Sequence, residues 1–202
     1  GLGWNHDGNY LAVGEGEGGL FIYTDKGDLK KKIDVDPKSI TGLHWHPSEN
    51  RIVTVGSQIG LYDMKSDSVQ LIQPRPVEVL MLCVEWHPSG EFFVTGDYGD
   101  YDHNYPALLQ FWDTKGQKIR EIEESKAEYR NLRWSSDGGL LATASDGVRL
   151  WSKEGDLLKK AETEHLLWGI DWSPDDQLLI TSSMKGEIQI WNKHLKLIEA
   201  YR

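Results

Sequence analysis

The densest gathering of chemistry-bearing side chains is the stretch Asp97-Tyr98-Gly99-Asp100-Tyr101-Asp102-His103-Asn104-Tyr105-Pro106. Asp97, Asp100 and Asp102 could gather carboxylate and carbonyl oxygens around a hard cation such as calcium, although their spacing is not that of a helix–loop–helix calcium loop. The same stretch is dense in Tyr, which supplies rigid contact area at low entropic cost, and in Asp, Gly and Asn, which supply adaptable hydrogen bonds. It therefore reads as a partner-recognition loop or a self-packed loop, with a calcium site as the alternative. Elsewhere the chemical signals fall away. Gly14-Glu15-Gly16-Glu17-Gly18-Gly19 has the glycines of a phosphate-binding loop, but a strand follows it where such loops need a helix N-terminus, and two Glu would repel phosphate. His44 and His46 straddle Trp45 and could form a metal pair. Cys83 lies in the apolar run MLCVEW and reads as a small buried hydrophobe. No Gly-x-Ser-x-Gly elbow is present. The expectation is a protein without catalysis and without a cofactor.

Composition narrows the partners. The 202 residues carry a formal net charge of −10, with 27% charged residues, nine Trp and one Cys. A nucleic-acid binder needs a basic face to displace phosphate counterions; the short run Lys30-Lys31-Lys32 reads instead as a solvated strand edge. A single Cys excludes an internal disulfide framework. No apolar run is long enough to span a bilayer, and no signal peptide is visible. The expected partners are proteins, not nucleic acid or membrane, and the expected location is cytoplasmic.

The elements that hold these residues repeat along the chain. Trp stands at 4, 45, 86, 134 and 172, at intervals of 41, 41, 48 and 38 residues. Each is followed by a turn-forming segment, such as His87-Pro88-Ser89-Gly90 or Ser135-Ser136-Asp137-Gly138. A β-favouring run comes next (for example Arg51 to Val55 or Leu140 to Ala144), then a loop, then a second run ending in Tyr23, Tyr62, Trp112, Trp151 or Trp191. Another turn leads to a more polar run such as Lys118 to Ile122. This is four short strands per unit, with no helical periodicity. A two-faced four-stranded unit buries both faces only by stacking on neighbours. The expected class is all-β, a propeller of five four-stranded antiparallel blades at about 1–38, 39–77, 78–127, 128–164 and 165–202.

The units resemble WD repeats. Trp112-Asp113 matches the dipeptide that names the family, Trp151-Ser152 and Trp191-Asn192 are close variants, and Trp172-Ser173-Pro174-Asp175 with its counterparts resembles the family's first hairpin turn. Departures concern the His of the family's His–Ser/Thr–Asp–Trp network: the fourth unit has Thr143, Ser145, Asp146 and Trp151 but lacks the His, so the network is expected to be incomplete in every blade. The resemblance implies a protein-interaction scaffold with a contact surface at the top mouth, where the insertion at 97–105 projects between strands two and three of its unit. The position four before each marker Trp should lie near that mouth, and alternation puts it on the same side as its Trp. Its occupants are Thr41, Leu82, Arg130 and Trp168. The partner-binding candidates are thus Arg130, Trp168, Leu82, Asp97, Tyr98, Tyr101, Asp102, His103 and Tyr105, with packing against the next blade as the other reading of Trp168. Family members most often have seven blades, so the chain is expected to be a segment of a larger propeller, with a five-blade ring, assembly between chains, or a structural module of a larger complex as alternatives.

Overall fold

In the computed structural model, which describes residues 1–35 and 39–202, the chain is all-β apart from one short 3-10 turn. Twenty strands form five four-stranded antiparallel sheets, as propeller blades do. The first sheet is β1 (Leu2–Trp4), β2 (Tyr10–Gly14), β3 (Gly19–Thr24) and β4 (Leu29–Asp34). The second is β5 (Ile40–Trp45), β6 (Arg51–Gly56), β7 (Ile59–Asp63) and β8 (Ser68–Ile72). The third is β9 (Met81–Trp86), β10 (Phe92–Asp97), β11 (Leu109–Asp113) and β12 (Lys118–Ile122). The fourth is β13 (Asn131–Trp134), β14 (Leu141–Ala144), β15 (Gly147–Trp151) and β16 (Leu157–Glu162). The fifth is β17 (Leu167–Trp172), β18 (Leu178–Ser183), β19 (Ile188–Asn192) and β20 (Leu197–Tyr201). In every sheet sequence neighbours are hydrogen-bonded neighbours. The expected blade boundary at 38/39 falls beside residues 36–38, outside the described residues.

The chain divides into two compact units, Gly1–Thr95 with Trp112–Ile119, and Gly96–Phe111 with Arg120–Arg202. In the first unit, Ala12, Leu20 and Ile22 of the first sheet meet Leu43, Trp45, Ile52 and Tyr62 of the second. The other face of the second sheet, with Val53, Val55, Ile59 and Leu61, meets Met81, Val84, Trp86, Phe93 and Trp112. In the second unit, Ala142, Ala144, Val148 and Leu150 meet Leu167, Ile170, Leu179 and Trp191. Side-chain alternation makes this two-sided packing possible: a sheet puts its Trp-bearing face on one neighbour and its opposite face on the next.

Local side chains set the hairpins. Ser135 Oγ accepts from Leu140 N (3.0 Å) and donates to Asp137 Oδ1 (2.7 Å), which itself accepts from Gly139 N (2.8 Å). Gly138 sits at φ 71°, where a side chain would be strained. Ser173 and Asp175 repeat the arrangement. His46 and His87 take the place of the Ser: His46 Nδ1 accepts from Ser48 N and Glu49 N, and His87 Nδ1 from Ser89 N. His44 Nδ1 accepts from Trp86 N at 3.2 Å. The His44–His46 metal pair is therefore corrected, because these ring nitrogens tie down backbone.

Alternation is overturned on the inner strands. In β17 the pairing passes from Leu167↔Ser183 to Gly169↔Ser182, which leaves Trp168 as a bulged extra residue. β5 bulges in the same way at Thr41, between Ile40↔Gly56 and Gly42↔Val55. A bulge adds one residue and reverses the side-chain phase beyond it. Trp168 and Thr41 thus do not share the side of their marker Trp; Leu167 and Ile40 point into the cores instead.

Candidate functional site

The expected site residues separate into three groups. Asp97, at the end of β10, is fully buried (0% exposed). Its Oδ1 accepts from Gly99 N (3.0 Å) and Leu108 N (2.8 Å), and its carbonyl accepts from Tyr129 N (3.0 Å). Asp97 closes the insertion from within, so its assignment as a partner contact is corrected. The loop it closes is a small hairpin. Asp100 and Tyr105 exchange backbone hydrogen bonds (2.6 and 2.8 Å), and the 3-10 turn Tyr101–His103 lies between them. Asp100 accepts from His103 N and pairs with His103 Nδ1 at 2.7 Å. With Asp97 turned inward and Asp100 engaged, the calcium set Asp97, Asp100 and Asp102 does not converge. Among the described residues no group of three or more His, Cys, Asp or Glu could hold a metal ion.

Leu82, half-buried in β9, belongs to the first compact unit and is not gathered with the others. Asp102 and His103 are exposed at the tip of the hairpin. Tyr101 is exposed too, and its hydroxyl accepts from Ala107 N at 3.4 Å. Partial burial raises the Tyr101 pKa, as do the charges of Glu128, Asp146 and Asp97, so the phenol stays protonated. Tyr105 is exposed on the closing strand of the hairpin.

Three residues from three segments do come together. The Arg130 guanidinium carbon lies 5.6 Å from the ring centroid of Tyr98 and 5.3 Å from that of Trp168. Both rings are exposed, Trp168 to 54% and Tyr98 to 45%. Arg130 Nε and Nη2 donate to Glu128 Oε1 at 3.0 and 2.8 Å, which holds the guanidinium plane in place. Cation–π contact of this kind contributes about 0.5–1 kcal/mol at exposed sites. The bulge at Trp168 is what points its indole outward to the stack.

Glu128 was not among the sequence-derived candidates. Its signal was the spacing Glu128-x-Arg130, which puts both side chains on one side of an extended segment. The segment is fixed from beneath by a second group of residues that sequence reasoning missed. Arg149, wholly buried in β15, pairs with Asp146 at 2.7 Å, and Glu124 lies 4.0 Å away. Asp146 accepts from Ser125 Oγ (2.9 Å) and Lys126 N (3.3 Å), and Ser145 Oγ donates to Ala127 O (3.0 Å). Burial alone would raise the Asp146 pKa, but the Arg149 hydrogen bond and charge, with Ser125 and Lys126, outweigh it and hold the carboxyl below its ordinary value. Tyr129, buried beside this group, has its phenol pKa pushed up, chiefly by burial.

Comparison with known proteins places the whole assembly. The family model described as Eukaryotic translation initiation factor eIF2A matches residues 2–169, and the model described as WD domain, G-beta repeat matches residues 156–192. The chain belongs to the eIF2A family and is built of WD repeats. Echinoderm microtubule-associated protein-like 3 of Homo sapiens is 25% identical to this WD-repeat chain, over 93% of the chain and 22% of the relative. Intraflagellar transport protein 80 homolog of Mus musculus is 23% identical, over 92% of the chain and 23% of the relative. SIR4-interacting protein SIF2 of Saccharomyces cerevisiae is 21% identical, over 95% of the chain and 38% of the relative. The chain thus spans well under half the length of these relatives. The WD signature of the third strand is carried by three indoles: Trp112, Trp151 and Trp191 each donate Nε1–H at 3.0 Å to the hydroxyl of Thr95, Thr143 or Thr181.

Proposed function

We propose that the chain is a non-enzymatic protein-interaction platform whose contact surface is the Tyr98–Arg130–Trp168 stack, extended by Tyr101, Tyr105, Asp102 and His103. The observation that carries this reading is the stack itself. Three separate segments bring an exposed Trp, an exposed Tyr and an oriented Arg together, and these are the residue types that dominate binding hot spots. Burying the two rings against a partner would add apolar contact, and Glu128 presets the guanidinium, so little side-chain order remains to be lost on binding. Support also comes from relatives named for microtubules, for intraflagellar transport and for an interaction with SIR4, all of them names of protein assemblies. A cytoplasmic location is in keeping with those names. The net charge of −10 speaks for a protein partner over nucleic acid.

Tagged wild-type chain, Trp168→Ala and Tyr98→Ala, purified from the source cell with quantitative mass spectrometry of co-purifying proteins, tests the reading. Removal of a hot-spot side chain costs about 2 kcal/mol of binding, roughly thirtyfold in affinity, so a discrete set of proteins should drop out of both variants. Both changes are at the surface and each loses one contact with Arg130, so unfolding stability should stay within about 1 kcal/mol of wild type. An unchanged set of co-purifying proteins, or collapse of the fold in either variant, would remove the assignment.

A further inference from the structure

We infer that the partner taken by the surface around Tyr98 and Arg130 is cationic: a basic segment that lays an arginine side chain over the exposed tyrosine rings of the hairpin, with Asp102 to pair its charge. This rests on the reading of that surface as the contact site and adds the chemistry of its occupant.

Charge gives the first reason. The surface is built from residues 97–106, the segment 123–130 and residues 145–149 beneath it. All three stretches belong to the second compact unit and lie away from both ends of the sequence. The Tyr101 phenol feels the charges of Glu128, Asp146 and Asp97, so the hairpin stands beside the other two stretches. Together they carry seven carboxylates against Lys126, Arg130 and Arg149, a net charge of −4 out of −10 for all 202 residues. Two of the three cations are already matched. Arg149 is wholly buried against Asp146, and Arg130 gives Nε and Nη2 to Glu128 Oε1. Asp102 is exposed at the hairpin tip and Glu123 at the start of the segment. A surface dominated by one sign of charge steers the opposite sign toward it.

The rings give the second reason. An aromatic face carries the negative side of its quadrupole and attracts a cation laid upon it. Tyr98, Tyr101 and Tyr105 are all exposed on the one hairpin. The chain shows the preferred occupant in itself, since the Arg130 guanidinium carbon lies 5.6 Å from the Tyr98 centroid with Glu128 bonded behind it. Tyr98 stays 45% exposed with that guanidinium in place, so its ring has area left to offer a second one. Arginine suits the site better than lysine, because a planar guanidinium stacks on a ring and keeps its N–H edge for a carboxylate. Asp97 and the Asp100–Tyr105 bridge already hold the hairpin, so little backbone order remains to be lost on binding. An acidic segment would meet the same rings and carboxylates with the wrong sign.

Fluorescence anisotropy tests this with the 202-residue chain and two fluorescein-labelled decapeptides, one alternating glycine with arginine and one alternating glycine with glutamate, at about 50 mM salt where screening is weak. Wild type should bind the arginine peptide and not the glutamate peptide. Tyr98→Ala changes no charge and should weaken binding about two- to fivefold, the worth of a cation–π contact at an exposed site, and Tyr98→Phe should keep it. Asp102→Asn should weaken it by up to about fivefold, the worth of an exposed ion pair. Glu17→Gln removes the same charge from the exposed loop after β2 and should leave binding unchanged. Thermal melting of each variant, expected to match wild type, shows that the fold is kept. Equal losses in Glu17→Gln and Asp102→Asn would mean attraction to the net charge alone and overturn the inference. Tyr98→Ala binding as wild type does, or a glutamate peptide bound as tightly as the arginine one, overturns it too. Co-purification reads the contact site separately: if Tyr98→Ala and Trp168→Ala lose their partners while the arginine peptide is indifferent to Tyr98, the site stands and its cationic occupant is lost.

Discussion

Thr95, Thr143 and Thr181 each accept an indole N–H from the third strand of their own sheet, and all three hydroxyls are buried. An indole donor left without an acceptor in the interior costs about 1–3 kcal/mol. Thr143→Val keeps the shape and removes the acceptor, so it should destabilise the chain by that amount in denaturant unfolding, and by more than Thr24→Val at the half-buried end of β3, whose hydroxyl accepts from Asp28 N at 3.2 Å near solvent. In the first two sheets Tyr replaces the Trp. Tyr62 donates its hydroxyl to Asp67 instead, and burial together with that bond pushes its pKa up to about 12. The indoles and, in the fourth unit, Thr143 were readable as family pattern. The roles of His46 and Asp97 were not, because whether an imidazole or a carboxylate serves backbone or solvent depends on which N–H groups the fold brings within 3 Å of it.

At the scale of elements, the segment from Glu124 to Arg130 and the hairpin after β10 together make the surface, and each is held by a buried charge. Asp97→Ala would free Gly99 N and Leu108 N, and should raise amide hydrogen exchange across 98–107 while β13 and β14 keep their protection. Asp146→Asn leaves the Arg149 guanidinium buried without its nearest carboxylate. Removing one partner of a buried pair costs about 3–5 kcal/mol, and partial solvation of Asp146 brings the expected loss to the lower end of that range. The folded-state pKa of Asp146 is depressed. Its contribution is therefore complete above the unfolded value of about 4 and declines as pH falls through the lower folded value. Acid titration of unfolding should show a wild-type loss below about pH 4 that is smaller in Asp146→Asn. None of this linker network was legible from Ser125, Ser145 and Arg149 alone, which lie in different segments and meet only through tertiary packing.

For the molecule as a whole, stability is a sum over sheet-to-sheet contacts, and the two faces of one strand can differ completely. Leu179 and Ile180 are neighbours in β18. Leu179 is buried against the fourth sheet, and Ile180 faces outward. Leu179→Ala should cost about 2–5 kcal/mol, with a cavity left behind. Ile180→Ala should cost within about 0.5 kcal/mol. Equilibrium urea unfolding of the two variants compares them directly.

The amino-acid sequence by itself determined the repeating unit: marker Trp, turn, alternating strands and a polar outer strand are local patterns, and alternation with turn chemistry is enough to write four strands per unit. It also determined that a loop rich in Tyr and Asp interrupts the third unit. Only tertiary structure decided which of those residues are buried and which stand exposed together. A single bulge reversed the phase of Trp168, hydrogen bonds from Leu108 N and Tyr129 N drew Asp97 inward, and packing brought the Tyr98 and Trp168 rings onto Arg130. A bulge is one unpaired residue with no sequence signature of its own, and a hydrogen bond between distant segments exists only once the sheets around it have packed.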